Sequence, residues 1–479
     1  MPRLERKLSL LAVVAGALCS VIGGGINVLI VNIQNEVVGI GNLVPWAMLL
    51  AGIAAFFVGL SYAILASAMP RAGGGYIYVS RGLSPFLGFI MAFVKWISSV
   101  IAIGVVAFMD VMILADSMHF LGLTEVETFL KSTIGSIIIP ISLIWIFWLV
   151  HMHGVKKYGT TVVLLMILML IGGAIIMTTN LLHTHKDFLR ITQAKLPNIR
   201  QGGILHIIYA SSILFWAYIG FTGISQAGGE IVEPKKNLPL AFILTAIAIT
   251  AYYFLYSYSF YHAVPWQYIV GRTNLTVPGL TGIFLPKAIA FIVSILVALT
   301  LANDIPPMLL TTSRLFYSWA VDGILPKKFA ETSKRKVPHF CLTLVAIIAS
   351  LVVIEATFGG FFLAVNVVTI SRYLVYILIA LAILAIEEKN EKLYREITFL
   401  KGRRKLHFLI ATVTLITVTF FLFVLVYRDV TSQVKWYEHM TLQLLVFILI
   451  GSIIYGIFVY RMKKKGVDYK KILKELPEE

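Results

Sequence analysis

The sequence predicts an all-α membrane protein of about twelve transmembrane helices. Three observations carry this expectation. The 479-residue chain is 59% hydrophobic and only 13% charged, with a mean hydropathy of +0.89. That is more apolar surface than a soluble fold of this size uses. Twelve stretches reach or approach the roughly 20 apolar residues that cross a bilayer. Two of them are broken near their middles by glycine, and they hold matching places in the two halves of the chain.

Taken in order, span 1 (8–33) contains Gly23, Gly24 and Gly25. Its apolar stretch is too long for a cleaved signal peptide, and no small-residue cleavage pattern follows. Spans 2 (43–68) and 3 (85–117) flank a short polar loop that carries Arg71 and Arg81. Span 4 (134–151) is among the shortest, and span 5 (158–182) closes the first half. Span 6 (204–230) carries Gly220 and Gly223, and span 7 (238–262) follows after a Pro-Lys-Lys-Asn turn. Span 8 (281–303) continues in polar form to about residue 320. Pro306 and Pro307 must disrupt its helix, because proline lacks the N–H and crowds the preceding turn. Spans 9 (341–358), 10 (361–386), 11 (406–427) and 12 (441–461) complete the set. The basic tail 462–479 reads as a solvated helix or a disordered segment.

Spans 1–5 (8–182) and 6–10 (204–386) have similar lengths, and each set opens on a glycine-broken span. Five is odd, so the second set must enter the membrane from the opposite side. That is a five-plus-five inverted repeat, the plan of many secondary transporters. Spans 11 and 12 (406–461) fall outside it, and residues 1–479 form one polytopic transport domain. The net charge of +17 is distributed as topology requires. With the N-terminus inside and twelve crossings, 29 Lys and Arg face the cytoplasm and 9 face outward. This positive-inside pattern places both termini in the cytoplasm and the protein in the cell membrane, against anionic lipid. It removes the reason to invoke nucleic acid. Cys19 and Cys341 lie within apolar spans and form no disulfide framework. Asn274-Leu275-Thr276 matches a glycosylation acceptor, a triplet frequent by chance.

A break in a membrane helix exposes main chain that must find a partner. Around Gly23, Gly24 and Gly25, the half-helix starting near Ile26 offers free N–H groups and a positive dipole end to a carboxylate. Carbonyls near Val21 are free to accept from an ammonium. The break around Ile219, Gly220, Thr222 and Gly223 adds more carbonyls. Two facing breaks therefore suit an amino acid zwitterion without placing net charge in lipid.

Four stretches resemble the amino acid–polyamine–organocation superfamily of permeases: VIGGGI (21–26), PRAGGGYIYVSRGLSPFLGF (70–89), FWAYIGFTGISQAGGEIVEPKKNLPLA (215–241) and SRLFYSWAVDGILPKKF (313–329). The resemblance covers spans 1–10. It implies that Gly24 and Gly25 offer N–H groups to a substrate carboxylate, and that Val21, Trp216 and Ile219 offer carbonyls to its ammonium. It implies that Trp216 closes over the substrate, and that Ser98, Ser99, Ile103 and Met308 line the side-chain pocket. Two positions depart from the pattern. Thr222 stands where many members carry Glu, and Met169 stands where some proton-coupled members carry Lys.

The remaining charges within spans are functional candidates by default. Asp304, beside the two prolines, either binds a proton or a cationic group or caps the freed N–H groups. Arg372 reads as a structural ion pair in preference to a substrate contact, and Lys95 as a snorkelling or vestibule residue. Asp110 and Asp116 approach the outer face, and Glu355 lies near it. Glu230 and Glu233 end span 6 either as interfacial charges or as an inner gate closing on Arg71 or Arg81. His151, His153, His183 and His185 read as loop histidines, without acidic or thiolate partners for a metal. No histidine is expected well inside a span, which disfavours a membrane-embedded enzyme. No cofactor is implied. The expected function is secondary transport of an amino acid or related amine by alternating access, driven by a coupling ion (proton or sodium) or by an exchanged substrate. Trp216, Glu230 and Asp304 are the gating or coupling residues. The rival readings are a polyamine or organic-cation permease and a nutrient sensor that binds without translocating.

Overall fold

The computed structural model describes residues 4–120, 122–272, 275–358, 361–433 and 435–477. Asn274 lies outside them, and the side chain of Asp116 is likewise not described. Among the described residues, eleven helices are long and apolar enough to cross a membrane, and Leu10–Cys19 is a shorter apolar helix. Among the described residues the only extended pairings are two isolated bridges, Leu8 with Ile231 and Ala72 with Ala227. The chain is thus an all-helical, multi-pass membrane protein.

Span 1 is two helices, Leu10–Cys19 and Gly24–Glu36. The run of three glycines explains the interruption, since each costs about 1 kcal/mol relative to Ala inside a helix. Span 6 runs as an α-helix only over Ile204–Leu214. It continues as 3-10 turns over Phe215–Tyr218, Phe221–Gln226 and Gly228–Glu230. Its second half is therefore tighter and more irregular than a bare interruption predicts, because four glycines fall between 220 and 229. Span 8 is cut into Lys287–Ala302 and Ile305–Val321, as Pro306 and Pro307 require.

Span 2 (Val44–Ala68) packs along span 7 (Pro234–Ala263) at close range. A β-carbon at Gly59 would stand 3.4 Å from the Phe242 carbonyl, and one at Gly52 would run into Thr250. Small residues at such contacts let helix backbones approach where lipid supplies no hydrophobic drive. Span 3 (Pro85–Phe120) is 36 residues long and passes through the centre of the bundle, touching spans 4, 8, 9, 10 and 12. Spans 11 (Arg404–Thr431) and 12 (Met440–Lys464) sit at the rim, where Phe408, Ile416, Phe423, Leu449 and Ile453 are exposed. Such a surface is suited to lipid.

Both termini lie on one face. The Lys7 and Leu8 N–H groups each donate to the Glu230 carbonyl at 2.9 Å, and Val232 N–H donates to Leu8 at 3.0 Å. The C-terminal tail differs from the solvated or disordered segment expected. It forms a short helix, Tyr469–Ile472, buries Leu473, and docks on the same face. Arg71 Nε donates to the Pro477 carbonyl and Arg81 Nε to the Glu475 carbonyl, both at 3.1 Å. Apolar contact by Leu473 and two arginine donors outweigh the tail's basic charge.

Candidate functional site

The two broken spans meet. Gly220 has φ +139°, a conformation that L side chains rarely adopt, and a β-carbon there would collide with the Ser20 carbonyl. Only glycine permits this approach. Ser20 caps the first half of span 1, and Gly23 occupies the N-cap of the second half without a side-chain cap. Four N–H groups at a helix start lack intrahelical partners. Among the described residues, Gly25 and Ile26 donate to no carbonyl outside their own helix. Trp216 lies over this start: a β-carbon on Gly25 would stand 2.6 Å from the ring's Cζ3.

The carbonyls at the breaks already have donors. Val21 accepts from Tyr253 Oη at 2.7 Å and from Gly23 N–H at 3.1 Å. Tyr253 Oη also lies 3.1 Å from the Ala217 carbonyl, so one hydroxyl bridges spans 1 and 6. Trp216 accepts from Ile219 N–H at 3.0 Å, and Gly220 from Gly223 N–H at 2.7 Å. A cavity of about 10 Å³, room for one water, lies beside the break between Gly23, Ile26, Asn27, Met169 and Thr300. Tyr253 was not singled out by sequence, because nothing in the Tyr-rich run of span 7 marks which hydroxyl reaches across.

Ser98 and Ser99 face span 10. Ser371 Oγ donates to Ser98 Oγ at 2.9 Å, and Arg372 Nη2 donates to Ser99 Oγ at 2.7 Å. Arg372 was expected in an ion pair; its described partner is this hydroxyl instead, because no carboxylate among the described residues faces it. Lys95, expected to snorkel, is buried. With the Gln226 carboxamide turned so that its nitrogen donates to the Gly223 and Thr311 carbonyls, its oxygen accepts from Lys95 Nζ at 3.1 Å. Thr222 Oγ1 lies 3.4 Å from Tyr376 Oη. Ile103 is fully buried on span 3, and Met308 is partly buried one turn after the break in span 8.

Asp304 stands at the N-cap of Ile305–Val321 but accepts no capping bond, and its Oδ1 has no partner among the described residues. The carboxylate is pressed against Gly23, where a β-carbon would meet it. Its neighbour Asn303 donates to the Ile22 carbonyl at 3.4 Å. Both Asp110 oxygens also lack partners among the described residues.

Towards the termini lie two buried ion pairs. Glu230 takes Arg314 through Nε and Nη2 at 2.8 and 2.7 Å. Asp322 takes Arg81 at 2.8 and 2.7 Å and also accepts from Tyr76 Oη. The partner of Glu230 is thus neither Arg71 nor Arg81: the 3-10 turn that ends span 6 backs onto span 8, not onto the loop between spans 2 and 3. Glu233 is exposed, at φ +44°. His151 is also not a loop residue. It is buried in the last turn of span 4, with Nε2 2.8 Å from the Pro306 carbonyl in the first turn after the break in span 8. No set of three metal-ligating side chains occurs among the described residues.

Comparison with known proteins bears on what such a site holds. An aspartate–proton symporter of Bacillus subtilis is 26% identical over 60% of this chain and 56% of its own length. A putative amino-acid transporter of Clostridium perfringens is 25% identical over 81% of each chain. The branched-chain amino acid permease BcaP of Lactococcus lactis is 26% identical over 74% of this chain and 77% of its own. The chain thus spans little more than half of the first of these relatives and about four-fifths of the second. The family profile for amino acid permeases matches residues 8–453. With that match across almost every span, the protein belongs to the amino acid permeases of the amino acid–polyamine–organocation superfamily.

Proposed function

We propose that this permease is a secondary transporter that carries an amino acid across the cell membrane by alternating access. The observation that carries the reading is the contact between the breaks: Gly220 on Ser20, with Trp216 resting on Gly25. The substrate carboxylate takes the N–H groups at the start of Gly24–Glu36. Opening draws Tyr253 away from Val21 and frees carbonyls there for the ammonium. Spans 1–5 and 6–10 act as inverted repeats that rock about this point. The face with both termini is cytoplasmic, so the Glu230–Arg314 and Arg81–Asp322 pairs form the inner gate, and Trp216 closes the site from the other side. Relatives named for aspartate and proton, and for branched-chain amino acids, support an amino acid substrate and a proton as one driving ion.

Counterflow tests the reading. Purified protein in liposomes preloaded with an amino acid mixture should concentrate a labelled amino acid from outside. Binding without exchange would mark a sensor, and exchange of polyamines alone would mark an organic-cation permease.

Asp304 is the coupling acid in this scheme. It meets the main chain of span 1 at Gly23 and has no basic partner among the described residues. Asp304→Asn should remove the acid-stimulated part of uptake while leaving exchange at constant pH intact. A pH profile that matches wild type would assign Asp304 to structure alone.

A further inference from the structure

We infer that the substrate's side chain carries a carboxylate, and that Lys95 on span 3 and Arg372 on span 10 receive it. The inference rests on the reading that the breaks hold an amino acid's main-chain groups. It starts from how charge is matched inside the bundle. Arg314 is matched by Glu230 and Arg81 by Asp322, each through a pair of short bonds. Lys95 and Arg372 are buried just as deeply, at 3% and 7% exposure, yet neither forms a salt bridge among the described residues.

What they touch is neutral. Arg372 gives one bond to Ser99, and its Nε has no partner. Lys95 gives one bond to the Gln226 oxygen. An arginine cannot shed its proton to escape this setting. Its planar fork matches a carboxylate through two parallel bonds, and here the fork is incompletely used. A buried cation left without its counter-charge is costly, so it persists in a protein when the counter-charge arrives with a ligand.

Position points to the substrate as that ligand. Lys95 reaches span 6 at Gln226, within one turn of Gly223, and Gln226 is tied to Thr311 on span 8. Arg372 is anchored to Ser99, one turn further along span 3. Lys95 and Arg372 therefore converge from spans 3 and 10 on the region beneath the span 6 break. The unmatched acids, Asp110 and Asp304, are set apart from them. Asp110 is fifteen residues from Lys95 on the same helix, roughly 22 Å along its axis. The acids thus lie at the span 1 break and beyond it along span 3, while Lys95 and Arg372 lie on the side of the termini. A zwitterion bound at the breaks with its side chain directed toward the termini would bring a carboxylate to Lys95 and Arg372. Ser98 and Ser371, bonded to one another, fix the spacing between spans 3 and 10 beside it.

The test is a counterflow panel on the full-length protein in liposomes, with L-aspartate, L-glutamate, L-asparagine, L-glutamine, L-leucine and L-lysine at equal concentration. One acidic amino acid should exchange at least about tenfold faster than its amide, as expected where a site is built to pair a substrate group. Lys95→Met should erase that preference by slowing the acid and not the amide. Arg372→Lys, which keeps the charge and loses the fork, should narrow it. Preference for leucine, lysine or the amides in wild type would overturn the inference while leaving amino acid transport standing. Failure of every amino acid to exchange would overturn both. If Lys95→Met does not fold, the wild-type panel decides the substrate class and Arg372→Lys the residue. A folded variant that retained the full preference would remove its residue from the pocket.

Discussion

Gly25→Val should abolish substrate binding and leave the protein folded. Even the first added carbon would stand 2.6 Å from Trp216 Cζ3 and 3.1 Å from its Cη2. The ring must therefore leave its place, and the valine methyl groups then cover the helix start that the carboxylate needs. A charge-assisted hydrogen bond contributes about 1.5–3 kcal/mol, so losing two weakens binding by roughly a hundredfold or more. Folding suffers little, because Trp216 is only half-buried and has room to turn. The check is thermal: the variant should melt near wild type, and an amino acid that raises the wild-type melting temperature should leave the variant's unchanged. An affinity equal to wild type would reject the carboxylate site.

The second large effect is expected at the Glu230–Arg314 pair. Its side chains are 1% and 0% exposed, so neither charge has water to fall back on. Removing one partner from such a pair costs about 3–5 kcal/mol, whereas replacing both with apolar groups of similar volume is often neutral. Glu230→Gln and Arg314→Met should each lower the melting temperature clearly, and Glu230→Leu with Arg314→Met should recover most of the loss. The double variant should nevertheless transport poorly, because an apolar plug cannot be rehydrated when the gate opens. Single variants as stable as wild type would show that the pair is open to water.

Both expectations use features with different visibility in the sequence. The spans were legible because a bilayer fixes length and composition together. The break in span 1 was legible because three consecutive glycines have no other use in a helix, and the cut in span 8 because Pro306 and Pro307 cannot continue one. Partners across spans were less accessible. Membrane helices are apolar on most sides, so periodicity does not fix their rotation. That is why the sequence leaves Glu230 open between an interfacial charge and a gate on Arg71 or Arg81 when Arg314 holds it, and why it reads Arg372 as an ion pair where Ser99 stands. Tyr253 and His151 act over long separations, 232 residues to Val21 and 155 to Pro306. No local pattern encodes such contacts. The docked tail was missed because its composition is that of a solvated segment, while its attachment uses main-chain carbonyls that composition does not reveal.

The seat of Gly220 on Ser20, together with the Tyr253 hydroxyl shared by Val21 and Ala217, has a kinetic consequence. Two elbows locked this way form a single joint, so neither arm can swing while the other stays still. Fluorophores attached separately to the two arms should relax with one common rate constant after a substrate jump. Two distinct rates would mean that the joint slips.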